Sequence, residues 1–350
     1  MTTATALTAT REQIDQVIDA FFAAGRSVGC ERKIPAIPAS SGFDPSVRFI
    51  GSHISVFLPQ MTEARIPAGG AIMWQDCIRT RALVEMRESG RLESPWGSYF
   101  ISLGALFPPG HEGQACALLR NCLAALGIRH GEVSFLNTDE RLAELAHRNF
   151  PMWRMRGDPR ERPYRHKVGV EHVRGENINI AVGAVLEPVA NIIVYSCAGE
   201  PCGIEVALGT STVAKVLHGL DHVIDAFPLP ALDAFAPPPS VRCWKDAAVT
   251  ALHLLREGLS PTGSHNRSRL LRRYVELFRA SVVTRAMGMA PAREVLSLYL
   301  ANQYASNHSL APVRDDADVL DLLLCKSAIV GGGSTSDVNR PVKQRLPEHS

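Results

Sequence analysis

The sequence predicts an α+β protein: a largely antiparallel sheet flanked by helices up to about residue 232, then helices alone. Three observations lead there. Short β-type runs separated by turns crowd the middle of the chain, as in "GEVSFLN", "NINIAVGAVL" and "NIIVYSC". From Thr210 onward the apolar residues recur at helical spacing. Between the β-rich part and the last helices lies a proline-rich break, "FPLPALDAFAPPPS", the clearest linker in the chain.

Taken in order, Thr10 to Ala24 places Ile14, Val17, Ile18, Phe21 and Phe22 on one side of a helix, with Thr10 as N-cap and Gly25 as stop. "SVRFIGSHISVFLP" reads as strand or extended core on its β-branched residues. "WGSYFISLGALF" predicts a strand, "PPGHEG" breaks it, and Gln114 to Leu126 predicts a helix. Beyond the central strands, Val213 to Leu220 and Val241 to Gly258 read as helices, and the pattern stays helical to about Lys326. The expected organisation is a first unit over 1–232, a helical unit over 233–326 and a flexible tail over 327–350.

Composition excludes more than it identifies. The 350 residues are 46% hydrophobic, and 37 basic against 35 acidic residues leave a formal charge of +2. A polyanion site must therefore be a local patch. The eight cysteines are scattered without repeated CxxC pairs, "MTTATALTATREQ" lacks the basic start and apolar run of a secretory signal, and no stretch resembles a membrane span. These features predict a reduced, cytoplasmic protein with free thiols and no membrane partner. His218 and His222 have the i,i+4 spacing of a helical metal pair, but no acidic or thiol partner follows at a telling distance. Two surface histidines are the favoured account. Cys197 and Cys202 look more like a hairpin pair than a zinc knuckle, so no metal is expected.

Seven phrases occur in order: "REQIDQVIDAFFAAGRSV", "DPSVRFIGSHISVFLPQM", "QDCIRTRAL", "YFISLGALF", "NIIVYS", "IEVALGTSTVAKVL" and "EGLSPTGSHNRSRLLRR". In that order and at similar spacing they resemble the catalytic core of alanine–tRNA ligase, a class II aminoacyl-tRNA synthetase. The third and fourth match the two halves of the ATP-binding motif two, the sixth matches motif three, and the last matches the start of the helical tRNA-recognition domain. The resemblance covers about residues 10 to 290. It implies a class II catalytic domain followed by a tRNA-recognition domain, without the family's editing domain.

The resemblance also implies roles. Arg79 stands where the motif-two arginine holds the α-phosphate, a task suited to a planar guanidinium fork. Phe100 and Gly209 fall on nucleotide-binding positions, and His166, Asn191 and Glu205 on the amino-acid pocket. Arg267, Arg269, Arg272 and Arg273 open the RNA-recognition helix, and Arg272 and Arg273 match two family arginines that face the acceptor stem. Several positions depart from the family. Thr212 replaces the motif-three arginine, Ile101 the glutamate near adenine, Leu83 a motif-two lysine, and His166 a tryptophan; Asn179 stands where a glutamate is usual. The implied function is activation of a small amino acid with ATP and Mg2+ and its transfer to tRNA or another acceptor. Two other readings fit the departures: a transferase that uses charged tRNA, and a tRNA-binding pseudo-synthetase without catalysis. The expected partners are tRNA and a small amino acid, and a homodimer accords with the habit of the class II fold.

Overall fold

The computed structural model describes residues 10–42, 48–136, 140–156, 165–229, 238–284, 288–304 and 306–325. Most of the proline-rich break and the tail over 327–350 lie outside the described residues.

The chain opens with helix α1 (Arg11–Ser27), whose first turn carries a reciprocal cap: Thr10 accepts from Gln13 N, and Gln13 Oε1 accepts from Thr10 N at 2.7 Å. The apolar stripe expected on this helix is buried. Gly25 is not its stop. It lies inside the helix, where a Cβ would meet Ile72 Cδ1 at 2.4 Å, so the glycine serves close packing against the sheet.

Next come β1 (Arg32–Lys33), α2 (Ile54–Thr62), β2 (Ala71–Ile78), α3 (Arg81–Ser89), β3 (Tyr99–Phe107) and α4 (Glu112–Ala125). The segment read as strand from its β-branched residues is thus partly helix α2. On helical spacing Ile54, Phe57 and Met61 all point inward, and their burial overrides the local β preference. There follow β4 (Val133–Leu136), α5 (Glu140–Asn149), β5 (Arg154–Arg156), β6 (Arg165–Lys167), β7 (Val173–Val182), β8 (Glu187–Cys197) and β9 (Glu200–Gly209). The chain continues with α6 (Thr210–His218), α7 (Pro238–Arg256), α8 (Asn266–Thr284), α9 (Met289–Tyr304) and α10 (Asp316–Leu324). No helix of the described residues is long and apolar enough to cross a membrane.

The strands form one sheet in the order β1-β2-β3-β9-β8-β7-β4-β5, with β6 also on β7. All pairings are antiparallel except β1 with β2 and β4 with β5. The class observed is therefore α+β, an antiparallel-dominated sheet with flanking helices and only helices after Pro238.

Strand alternation gives the sheet two unlike faces. Ile72, Leu103, Ile192 and Val206 point into the larger core, which α1, α4, α6 and α7 cover and which continues into α8, α9 and α10. The opposite side chains, among them Met73, Leu106, Ile193 and Tyr195, meet a smaller cluster under α2. Elsewhere on that second face Phe100, Asn191, Ala207 and Gly209 are only half-buried, and this more open part positions the site.

Candidate functional site

The strand register lays the open face out in rows. Gln75, Ser102 and Gly209 are neighbours in one row; Met73, Gly104, Ala207, Asn191 and Asn179 form the next. Glycine, alanine and serine in adjacent rows leave a shallow trough. His53, just before α2, drops into its floor. A Cβ at Gly104 would stand 1.9 Å from His53 Cδ2, so the imidazole fits only because residue 104 has no side chain.

His53 is held from several sides. Its Nδ1 lies 2.7 Å from Ser102 Oγ, and Phe57 meets the ring edge-on at 5.8 Å between centroids. Its Nε2 approaches Glu205 Oε1 at 2.5 Å, without the alignment of a hydrogen bond. Tyr195 donates its hydroxyl to the other oxygen, Glu205 Oε2, at 2.5 Å. His53 and Tyr195 are 0% exposed and Glu205 is 1% exposed. A carboxylate removed from water to this extent needs resident partners, and Glu205 has them on both oxygens. Neither His53 nor Tyr195 was legible as a partner in the sequence.

The amide cluster beside this triad is less complete. Asn177 Nδ2 donates to Asn179 Oδ1 at 2.7 Å and reaches toward Asn191 Oδ1 at 3.4 Å. Asn177 is 6% exposed, and its Oδ1 has no hydrogen-bond partner among the described residues. A buried acceptor left alone in this way is costly unless a donor completes it. Asn191 is half-buried on the same face, whereas the side chain of His166 lies outside the described residues.

Arg79, Phe100 and Gly209 come to one end of the open face. Arg79 follows β2 directly, its backbone N donates to Ser98 O at 2.8 Å and its Nε to Gly51 O at 2.8 Å. Its guanidinium carbon stands 4.8 Å from the centre of the Phe100 ring. The side chain is exposed and its terminal nitrogens have no partner among the described residues. Gly209 ends β9, opposite Ser102, and leads into α6.

Two positions that depart from the motifs this sequence resembles have a physical account. Thr212 turns its hydroxyl back to Gly209 O at 2.7 Å and supplies no charge to the face. Ile101 is buried in the helix-covered core, so the open-face positions of β3 are Phe100 and Ser102 instead. From position 101 no side chain reaches the trough. For a nucleoside triphosphate and its Mg2+ the donor set on this face is therefore thin among the described residues: Arg79, and a Glu205 carboxylate already engaged. Among the described residues no cluster of three His, Cys, Asp or Glu could hold a metal ion.

The arginine run at the head of α8 does not present one surface. Arg267 Nη1 donates to Ser40 O at 2.8 Å, and Arg272 Nη1 donates to Pro261 O and Gly263 O at 2.8 and 3.1 Å. Arg269 bonds Asn266 Oδ1. Arg273 alone of the four has no such partner among the described residues and turns toward α3. His222 is buried, with Nδ1 accepting from Ile224 N at 3.1 Å and Nε2 facing Ser94 O at 2.8 Å. Both ring nitrogens are thus engaged, and His218 instead approaches Gln13.

Behind the sheet sits a second polar group. Tyr99 donates to Asp76 Oδ1 at 2.8 Å and stacks on His253 at 3.7 Å, and Arg11 donates to Gln303 at 2.8 Å. Burial raises the Asp76 carboxyl above its usual range and pushes His253 well below its own. Nearby, Glu257 accepts from Ala39 N and Ser40 N at 2.7 and 2.9 Å, and burial lifts it to about 7. These residues bind α1, α7 and α9 to the back of β2 and β3.

No protein-family model matches the chain, and no curated protein matches it. Among solved structures it is similar to the asparaginyl-tRNA synthetase of Pyrococcus horikoshii complexed with asparaginyl-adenylate, at a TM-score of 0.36 and 8% identity over 62% of this chain and 67% of that one. It is also similar to the asparaginyl-tRNA synthetase of Entamoeba histolytica in complex with asparaginyl-adenylate, at a TM-score of 0.35 and 11% identity over 62% of this chain and 66% of that one. The chain thus spans about two thirds of the length of these two structures.

Proposed function

We propose that the chain is a class II synthetase-like protein that handles aminoacyl-tRNA, taking an amino acid already esterified to RNA rather than activating a free one. The observation that carries this reading is the closed state of Glu205, whose two oxygens face His53 and Tyr195 at 2.5 Å each. The residue placed to receive a free amino acid's ammonium group is therefore engaged by the protein itself. Thr212 adds to this, since the phosphate-binding cation expected there is absent.

An aminoacyl ester needs no adenylate. An acceptor amine or hydroxyl attacks its carbonyl, the acyl–oxygen bond breaks, and the attacking group's proton ends on the released ribose hydroxyl. In this scheme Asn177 Oδ1, the buried acceptor without a partner among the described residues, receives a hydrogen bond from the acyl group's amine, and the half-buried Ala207 leaves room for a short side chain. Arg79, seated over Phe100, holds a phosphate of the terminal nucleotide.

A second reading is favoured by the same Arg79 and Phe100: amino-acid activation with ATP, in the manner of alanine–tRNA ligase, with transfer to tRNA or another acceptor. Amino-acid-dependent pyrophosphate–ATP exchange across the common amino acids separates the two. The transferase reading expects no exchange and consumption of alanyl-tRNA or another small aminoacyl-tRNA when an acceptor amine is supplied. Exchange with one amino acid, abolished in Arg79→Ala, would establish the ligase instead. Neither activity, with charged tRNA still bound, would leave a silent RNA binder.

A further inference from the structure

Between α3 and α8 runs a groove of about 350 Å³. Arg48, Arg87 and Arg273 line it with a single acidic residue, Glu88. Leu83 and Leu270 are its buried apolar lining, and Val84, 60% exposed, adds an accessible apolar edge.

What marks this groove is the convergence of its arginines. Several others are tied down singly: Arg11 to Asp15, Arg129 to Glu132, Arg279 to Leu323 O and Arg314 to Leu255 O. Arg48, Arg87 and Arg273 have no hydrogen bond or ion pair among the described residues, yet three elements bring them to one cavity. Like charges gathered around a concave surface repel one another and raise the local potential, and an anion relieves that repulsion. Guanidinium forks approaching from several sides suit phosphate oxygens, which accept two parallel N–H bonds from each fork.

Position adds direction. Thr80 also lines the groove and follows Arg79 directly in the chain. The groove therefore opens beside the end of the sheet face where Arg79 and Phe100 stand.

We propose that the α3–α8 groove binds the phosphodiester backbone of an RNA strand and leads its end toward Arg79. This rests on the aminoacyl-tRNA reading above and names the surface that RNA would use. Within the α8 arginine run it assigns the contact to Arg273, and it adds Arg48 and Arg87 from outside that run.

The test is RNA binding by the full chain as a function of salt. A fluorescein-labelled hairpin with a single-stranded 3′ tail is titrated between about 50 and about 200 mM KCl, where each lost phosphate contact lowers the slope of log K against log salt by about 0.7–0.9. Arg48→Gln, Arg87→Gln and Arg273→Gln are each expected to show that loss and to bind several-fold more weakly at the lowest salt. Arg87→Lys, which keeps the charge, is expected to recover most of the slope. Arg129→Gln, at an exposed pair just before β4, toward the sheet edge opposite β2, is expected to change nothing. Melting followed by circular dichroism checks that each variant is folded. Unchanged slopes in all three groove variants, with the parent binding well, would overturn the groove assignment alone. A parent chain that does not bind RNA would overturn the aminoacyl-tRNA reading and the groove together.

Discussion

Replacing Gly104 with alanine is the sharpest probe of the open face. The added Cβ, 1.9 Å from His53 Cδ2, lies about 1.5 Å inside the 3.4 Å at which ordinary contact begins. The ring cannot retreat freely, because Ser102, Glu205 and Phe57 hold it and no part of it is exposed. Overpacking of this kind costs about 1–3 kcal/mol. Displacing the ring would add the loss of its hydrogen bond to Ser102, about 1 kcal/mol, and weaken the support of a buried carboxylate. A total of about 3 kcal/mol is expected, a large share of the ~5–15 kcal/mol by which folded domains are stable. Urea unfolding followed by tryptophan fluorescence measures it, read in a double-mutant cycle with His53→Ala. With the imidazole gone the new methyl has space, so Gly104→Ala should cost about 2 kcal/mol less in that background. Equal costs in both backgrounds, or a parent-background cost under about 0.5 kcal/mol, would refute the packing argument.

Three other outcomes follow from named contacts. Arg79→Ala should lower any transfer or activation rate by about a hundredfold or more, the usual effect of removing one aligned donor at a developing charge, while the fold survives; this is checked by single-turnover kinetics beside a melting curve. Burial raises Glu257 to about 7 and Asp246 to about 6, so over the range from the ordinary carboxylate pKa up to those values the folded chain keeps protons that the unfolded chain has released. Stability therefore falls as pH rises through that window, and in Glu257→Gln the fall between pH 5 and 8 should be smaller by about 2–3 kcal/mol in urea unfolding. Thr10→Ala removes half of the reciprocal cap on α1 and should cost about 1 kcal/mol in the same assay.

What the sequence revealed and what it hid divide along physical lines. β3, β4, β7 and β8 were legible because each carries its own period-two or fully apolar signature. Helices α1, α4, α6 and α7 were legible from apolar spacing alone. Helix α2 was misread because Ile54, Val56 and Phe57 favour strands locally and only the sheet beneath them makes the helical face pay. The grouping of His53 and Tyr195 around Glu205 was invisible for a different reason. Its members come from three separate elements; the resemblance singled out Glu205 alone, and the glycine in β3 that admits His53 is a trace many other causes would also produce.

The arginine run shows how a correct local signal can mislead about surface. At about 100° per residue, position 267 points away from 269, 272 and 273, which share an arc of about 100° but meet different neighbours along it. Arg267 and Arg272 consequently meet backbone carbonyls of neighbouring loops, and Arg273 meets α3. Conversely, Arg48 and Arg87 stand apart in sequence and share a wall with Arg273 only after folding.

The segment around residues 37–40 has a bearing on how the protein is made. Arg267 and Glu257, from the helices near the end of the chain, grip Ser40 and Ala39, while Ile37 N and O pair with the side chain of Gln75 in the trough's first row. A ribosome delivers the sheet long before it delivers those helices. During synthesis the trough's wall must therefore wait, held by Gln75 but without its grip at Ala39 and Ser40, for residues not yet translated. A nascent chain stalled before α7 should expose the back of the sheet to chaperones, and its 37–40 segment should be cut by a protease that spares the finished protein. Protection of that segment before α7 and α8 emerge would show that the sheet settles its own edge first.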